Sequence, residues 1–234
     1  MYDLILSGGT VIDPVQGLCD KLDVAIAGDK IASISSKILH ESAVTVLDVN
    51  GKIVVPGLID IHTHIFHPKR NRNHPDIAGV LSGVTTAVDA GGSGPDNFGE
   101  FRDVILPRAQ TKIYAFLSVF RDRLTKSAPT EADMDVKGVI RVAKDNPEVV
   151  KGVKVIVSPR TVQSLGLAHV DASKTAARQA GLRLMMHIGD IGPSHQTPTS
   201  PEIVAQAVSK LDDGDLITHI FTPLTGAALD STGM

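Results

Sequence analysis

Two histidines, His62 and His64, stand one residue apart at the end of an apolar run that begins at Ile53. Successive side chains of a β-strand point to opposite faces, so these two imidazoles share a face and Thr63 faces the other way. Neutral imidazoles held side by side suit a divalent transition metal such as zinc. The alternative is a pair of strand-end histidines without a metal, and this motif alone leaves it open.

Further polar side chains occur late in three other apolar segments. Lys154 lies inside the segment 150–157, His187 follows Leu184-Met185-Met186, and His219 follows the segment 216–218. In parallel α/β folds the functional groups gather at the carboxyl ends of the strands. Four histidines and a lysine that reach one face from four strands form a more specific pattern than any one of them.

Lys154 needs a physical explanation, because a buried ammonium beside metal dications is strongly unfavourable. If the amine loses its proton and reacts with carbon dioxide, it becomes a carbamate, which is an anionic bridging ligand. The alternative is that Lys154 extends its ammonium to solvent. Lys151 is a competing candidate, but it lies nearer the start of the strand and on the opposite face. We therefore favour Lys154.

The elements that must position these residues alternate between strands and helices from Leu58 onward, which is typical of βα units and a parallel sheet. The predicted strands are 58–64, 84–90, 112–120, 149–157, 183–188 and 215–221. The predicted helical segments are 97–108, 131–145, 169–180 and 200–211, with a short helix near 76–82. A closed eight-stranded barrel typically needs about 250 residues, whereas residues 57–234 supply 178. An open parallel sheet is the alternative, but the ligand pattern favours most of a barrel.

The segment before this region, residues 1–52, reads as short strands of a small antiparallel β unit. Asn50-Gly51 is a two-residue hairpin signal and predicts that 44–48 pairs with 52–55. Pro56-Gly57 marks a boundary. The predicted domains are therefore 1–55, with the strands of a β-sandwich, and 56–234, with a partial hydrolase barrel.

Composition excludes several function classes. The formal charge is −3, which gives no reason to expect nucleic acid as a partner. Cys19 is the single cysteine, which fits a reducing cytoplasm. No apolar run approaches the ~20 residues of a membrane span. We therefore expect a soluble cytoplasmic protein that does not bind membranes.

Several motifs together resemble the amidohydrolase superfamily over essentially the whole chain. The stretch from Val55 to His64 looks like the hallmark of that superfamily. The segment 83–98, with Gly152-Val153-Lys154, His187-Ile188-Gly189 and Thr218-His219-Ile220-Phe221, is similar to its dihydroorotase-like deacetylase branch. The resemblance implies an α/β fold, namely an incomplete TIM-type (β/α)8 barrel of about six βα units. Part of a small β-sandwich domain precedes this barrel.

The resemblance also implies a metal-dependent amidohydrolase with two divalent metal ions, usually zinc. His62 and His64 would bind the more buried metal, His187 and His219 the other, and carbamylated Lys154, formed with carbon dioxide, would bridge them. A metal-bridging hydroxide would hydrolyse an acyl amide, a cyclic amide or a related ester. The implied small-molecule substrates are those of N-acyl amino acid deacetylases or dihydroorotases.

One catalytic residue of this superfamily, an aspartate at the end of the eighth strand, has no counterpart in this sequence. Asp230 follows the sixth strand too soon, and Asp190 is no obvious substitute. The second hypothesis is therefore a truncated, catalytically inactive metal-binding fragment. A third is a binding module on an open α/β sheet. Unpaired edges at the first and sixth strands also predict oligomers or poor solubility.

The remaining candidates have weaker support. Gly91, Gly92 and Ser93 could present backbone N–H groups to a substrate carboxylate, although such loops are more often plain turns. Asp89 could orient a ligand or cap the next segment. Four further histidines are expected to be solvated, and two of them, His67 and His195, could line the mouth of the site; the other two are His74 and His169.

Overall fold

The strands and helices are described from a computed structural model, which covers residues 1–67, 74–122, 128–189 and 199–221. The chain divides into two units, Met1–Leu58 and Ile59–Met234. Within the described ranges, none of the helices combines the length and the apolar character that a membrane crossing requires.

The first unit contains a five-stranded sheet in which three strands pair with one long strand and the remaining strand pairs at the edge. Strands β1 and β2 pair antiparallel, as do β2 and β3, whereas β4 and β5 both pair parallel to β1. The strands are β1 (Tyr2–Asp13), β2 (Leu18–Ala27), β3 (Lys30–Ser35), β4 (Ala43–Asp48) and β5 (Ile53–Val54).

The predicted hairpin across Asn50-Gly51 is wrong, because β4 and β5 lie along the same edge of β1 and run in the same direction. The Lys52 amide donates to the Val49 carbonyl at 3.0 Å, so the chain does turn tightly here. It then returns to β1, where the Thr10 amide donates to the Lys52 carbonyl at 2.9 Å. With 12 residues, β1 is long enough to pair with both strands in succession.

The second unit contains a six-stranded sheet whose strands lie in sequence order. From β7 to β11 each strand pairs in parallel with the next. The strands are β6 (Leu58–Thr63), β7 (Val84–Ala90), β8 (Lys112–Ser118), β9 (Val150–Ile156), β10 (Arg183–His187) and β11 (Leu216–Thr218). The prediction of a partial barrel of six βα units is confirmed.

The predicted helical segments do contain helical turns, but some of these are 3₁₀ or π-helical rather than α-helical. They are α1 (Phe98–Glu100), α2 (Val136–Asp145), α3 (Pro159–Leu165), α4 (Ala168–Ala180) and α5 (Pro201–Val208), with 3₁₀ turns at His40–Ser42, Pro75–Ala78, Val80–Ser82 and Glu131–Asp133. After α1 the chain continues as a π-helical turn, Phe101–Ile105, and a 3₁₀ turn, Leu106–Arg108. Pro107 lacks the N–H that a regular helix over 97–108 would use there.

Two helix starts differ from the prediction because of local capping. Helix α2 begins later than 131, since the side chain of Asp135 accepts from the Gly138 amide at 2.9 Å and caps a new helix. Helix α3 was not predicted. Its start has Pro159 in the first turn and a capping box between Ser158 and Thr161, which are recognisable signals.

Alternation along the strands separates two apolar layers of the second unit. One layer contacts the helices and includes Leu117, Val153 and Leu184. The smaller layer, with Val88, Ala90, Phe116 and Met185, lies on the other face of the sheet. Lys154 pairs in register with Met185, so it shares the face of this smaller layer.

Candidate functional site

Three histidines meet at the carboxyl ends of strands that are far apart in sequence. The ring nitrogens of His62, His187 and His219 lie within 4.8 Å of one another. His187 ends β10 and His219 directly follows β11, and the Ile188 amide donates to the Thr218 carbonyl at 3.2 Å to hold these two ends together. The ring centroids of His187 and His219 are 4.1 Å apart.

His219 has an unusual backbone conformation. Its φ is +65°, and it is the one non-glycine residue with positive φ in the described part of the chain. Side chains with a Cβ adopt this left-handed region at a cost, and such residues cluster at functional sites. This conformation turns the chain at the end of β11. The ring centroid of His219 lies 5.0 Å from that of His62.

Lys154 joins the histidines, and Lys151 does not. The Lys154 Nζ is 3.1 Å from the His62 Nε2 and donates to the Thr218 hydroxyl at 3.2 Å, and the residue is 3% exposed. Burial lowers the pKa of the Lys154 amine to about 7. Lys151 is exposed and donates to the Pro147 carbonyl at 2.7 Å.

The imidazoles are also held neutral, although His62 is half-buried, His187 buried and His219 exposed. Removal from water lowers the pKa of His62 to about 4, and the charge of Lys154 acts in the same direction. Burial, followed by the neighbouring His219, lowers the pKa of His187 to about 3. The pKa of His219 is also lowered, first by burial and then by Lys154. Neutral imidazole is the form that ligates metal, so this donor set fits a divalent transition metal.

His64 lies beside the three clustered histidines rather than among them. Its ring centroid is 5.4 Å from that of His62 in an edge-to-face arrangement. It lines a pocket together with Lys154, Gly91 and Arg160. The predicted opposite direction of Thr63 agrees with the structure, where its buried hydroxyl donates to the Val88 carbonyl at 2.9 Å.

The glycine loop after β7 packs closely against this site. Gly91 lines the pocket, and a Cβ added there would lie 2.9 Å from the Lys154 Cγ. Gly92 and Ser93 are buried, and the Gly92 amide donates to Asp89 at 2.9 Å. Substrate binding by this loop stays a prediction, with Gly91 the member that lines the pocket.

Of the remaining histidines, one differs clearly from the expectation. His169 was expected to be solvated, but it is fully buried on α4 with its Nε2 3.0 Å from the Ile156 carbonyl. His74 precedes a 3₁₀ turn and accepts from the Asp76 amide at 3.4 Å. His67 is half-buried. Asp190, His195 and Asp230 lie outside the described residues.

Two residues near the site were not proposed as site residues from the sequence. Thr218 accepts from Lys154, and Arg160 is a half-buried side chain on the pocket wall. Arg160 directly follows Ser158-Pro159 at the carboxyl end of β9. A charged residue just beyond the strand that carries Lys154 was the available signal.

A parallel barrel sheet with histidines and a lysine at its strand ends is typical of barrel metalloenzymes. No protein-family model matches this chain. A deacetylase from Agrobacterium fabrum is 29% identical over 215 residues, which make up 88% of this chain and 50% of that protein.

Two solved structures share the fold closely. A dihydroorotase superposes with a TM-score of 0.80 at 26% identity, over 97% of this chain and 59% of that one. An adenine deaminase superposes with a TM-score of 0.80 at 27% identity, over 99% and 60%. These matches confirm the resemblance to the amidohydrolase superfamily. The chain spans about half the length of the curated relative and three-fifths of these two structures.

Proposed function

We propose that this chain carries the metal-binding part of a metal-dependent amidohydrolase. The reaction is hydrolysis of an acyl amide, a cyclic amide or a related ester. The supporting observation is the meeting of His62, His187 and His219 within 4.8 Å, with the Lys154 amine 3.1 Å from His62. Relatives named deacetylase, dihydroorotase and adenine deaminase support the same class of chemistry.

The ligands would be the three clustered histidines, with His64 and Lys154 completing a set for two ions. Imidazole nitrogens and a carboxylate-like oxygen favour zinc, although other divalent metals accept the same ligands. When bound, the metal supplies two effects, a lowered pKa of water and a polarised acyl carbonyl.

Lys154 would serve as a carbamate. Its neutral Nζ forms a bond to the carbon of carbon dioxide, a proton leaves the nitrogen for solvent, and the product carries a single negative charge. Burial supports this step, because it lowers the pKa of the amine to about 7 and leaves a large neutral fraction. The bond to the Thr218 hydroxyl holds Nζ beside His62.

The pocket beside Lys154 would receive the substrate. Arg160 lies on the wall of this pocket. A guanidinium can bind a carboxylate through two parallel hydrogen bonds. This favours an N-acyl amino acid over a neutral cyclic amide. Phe120, also on the wall, offers an apolar surface to the side chain of such a substrate.

A second candidate is a catalytically inactive protein that binds metal. In the described ranges, the cluster of potential metal ligands consists of three histidines and includes no carboxylate. Such a protein would bind metal through the same side chains without turnover. Metal content therefore cannot separate the two candidates, but hydrolysis can.

The first experiment is metal stoichiometry by elemental analysis after incubation with zinc and bicarbonate. We expect about two ions per chain, and fewer in both His62→Ala and Lys154→Ala. Lys151→Ala and His40→Ala are the matched controls, because Lys151 bonds to Pro147 and His40 to Ser7. Zinc content that is equal in all five proteins would contradict the site.

The second experiment is hydrolysis of N-acetyl amino acids by the zinc-loaded protein. Release of acetate that disappears in His62→Ala and persists in Lys151→Ala would support the hydrolase. Stoichiometric zinc without acetate release would favour the inactive metal-binding protein. A protein that binds no metal under any of these conditions would instead fit a binding module on an α/β sheet.

A further inference from the structure

Asp89 is a fully buried carboxylate next to the proposed metal site. Its Oδ1 accepts from the backbone amides of Ile65 and Phe66 at 2.8 and 2.9 Å. Its Oδ2 accepts from the Gly92 amide at 2.9 Å. One side chain on β7 therefore binds two separate segments of backbone.

The first of these segments directly follows His64. On the other side of that histidine, the Thr63 hydroxyl donates to the Val88 carbonyl at 2.9 Å. The end of β6 is thus fixed to β7 immediately before and after His64. Phe66 is itself fully buried and packs against Phe101, with ring centroids 5.7 Å apart, so this segment has little freedom to move.

The second segment is the glycine loop, which packs between Asp89 and Lys154. A Cβ added at Gly92 would lie 2.3 Å from the Asp89 Oδ2 and 2.5 Å from the Phe66 carbonyl. A Cβ added at Gly91 would lie 2.9 Å from the Lys154 Cγ. The glycine loop is therefore packed tightly between Asp89 and Lys154. A displacement of the Asp89 side chain would shift this loop and with it the side chain of Lys154.

We propose that Asp89 is a positioning residue, which holds the backbone around His64 and the glycine loop so that His62, His64 and Lys154 converge. A buried carboxyl group without partners is costly, and hydrogen bonds from three amides offset that cost. An asparagine would turn an NH2 group toward amide donors and lose at least one bond. Partners that orient metal ligands typically contribute 10–100-fold to metal affinity.

The test uses Asp89→Asn beside Asp76→Asn, because Asp76 is a similar carboxylate in a different place. Asp76 is 3% exposed and accepts from the amides of Gln110 and Thr111 at 3.0 and 2.8 Å, just before β8 begins. Both variants lose bonds from buried amides. Only Asp89→Asn should disturb the ends of the strands that carry the histidines.

The readouts are zinc affinity, measured by competition with a chromophoric chelator, and the visible spectrum of the cobalt(II) form. We expect at least a tenfold weaker zinc affinity and a changed cobalt spectrum in Asp89→Asn. Asp76→Asn should keep both within about twofold of the unmodified protein. Equal zinc affinity in the two variants would overturn the proposal.

The inference rests on the proposed metal site, and the same data separate their failures. If the unmodified protein binds no zinc, the proposed function fails. If it binds zinc and Asp89→Asn binds equally well, only the positioning role fails. If Asp89→Asn does not fold, Asp89→Glu takes its place, since it keeps the charge and shifts the carboxylate by one methylene. Weakened affinity in Asp89→Glu supports the role, and unchanged affinity overturns it.

Discussion

Replacement of His169 by glutamine should make the protein less sensitive to mild acid. His169 is fully buried on α4, its Nε2 lies 3.0 Å from the Ile156 carbonyl, and its Nδ1 has no partner among the described residues. Burial lowers its pKa to about 4, against about 6.5 in an unfolded chain. Glutamine can keep the hydrogen bond to Ile156 but cannot take up a proton.

The sign and size of the effect follow from proton linkage. The folded state binds the proton more weakly, so the unfolded state gains it first as the pH falls. Stability from the neutral His169 is complete above pH 6.5 and is lost as the pH falls toward 4, by about 1.4 kcal/mol per pH unit. Between pH 8 and pH 5 the accumulated loss is about 2 kcal/mol.

The assay is urea unfolding followed by far-ultraviolet circular dichroism at pH 8, 6 and 5, with equal metal content in both proteins. Other histidines titrate in both proteins, so their contribution cancels in the difference. The free energy of unfolding of the unmodified protein should fall by about 2 kcal/mol more than that of His169→Gln between pH 8 and 5. Equal losses would refute the reasoning, because His169 would then not be held neutral.

Three further predictions concern stability. Lys174→Met should lower the free energy of unfolding by about 3–5 kcal/mol in a urea titration, because it removes a buried cation that bonds the buried Asp215. A loss below about 1 kcal/mol would contradict this prediction. Gly94→Ala should destabilise the protein by at least about 1 kcal/mol, since its Cβ would overlap the Phe120 carbonyl. Gly99→Ala has open space and should be neutral or stabilising. Thermal melts in which Gly99→Ala is the less stable variant would contradict this packing. Removal of metal with a chelator should lower the melting temperature and zinc should restore it, and a melt that does not respond to zinc would argue against binding to the folded state.

The strands and the histidines of the site could be predicted because both follow from local patterns. A buried parallel strand is a short apolar run, and a histidine at its end stands out against that run. The carboxyl-end rule then places His62, His187 and His219 together although they are distant in sequence. Lys154 could be preferred over Lys151 on its surroundings alone, and the structure separates the two lysines in the same way.

The features that could not be predicted depend on tertiary contacts. Asn50-Gly51 does form a turn, but the turn does not decide the pairing. The strand after it pairs with β1 rather than with β4, because β1 is long enough to hold both strands. His169 looked solvated, since nothing in a helix sequence shows which turn packs on the Ile156 carbonyl. The role of Asp89 needs the positions of Ile65 and Gly92, which only the fold brings to one carboxylate.

The most direct test of the proposed metal site is a crystal structure of the zinc-loaded protein with anomalous diffraction recorded on both sides of the zinc absorption edge. We expect two anomalous peaks whose ligands come from His62, His64, His187 and His219, with Lys154 in or beside their coordination shells. Zinc at other residues, with these imidazoles bonded only to protein or water, would contradict the proposed site.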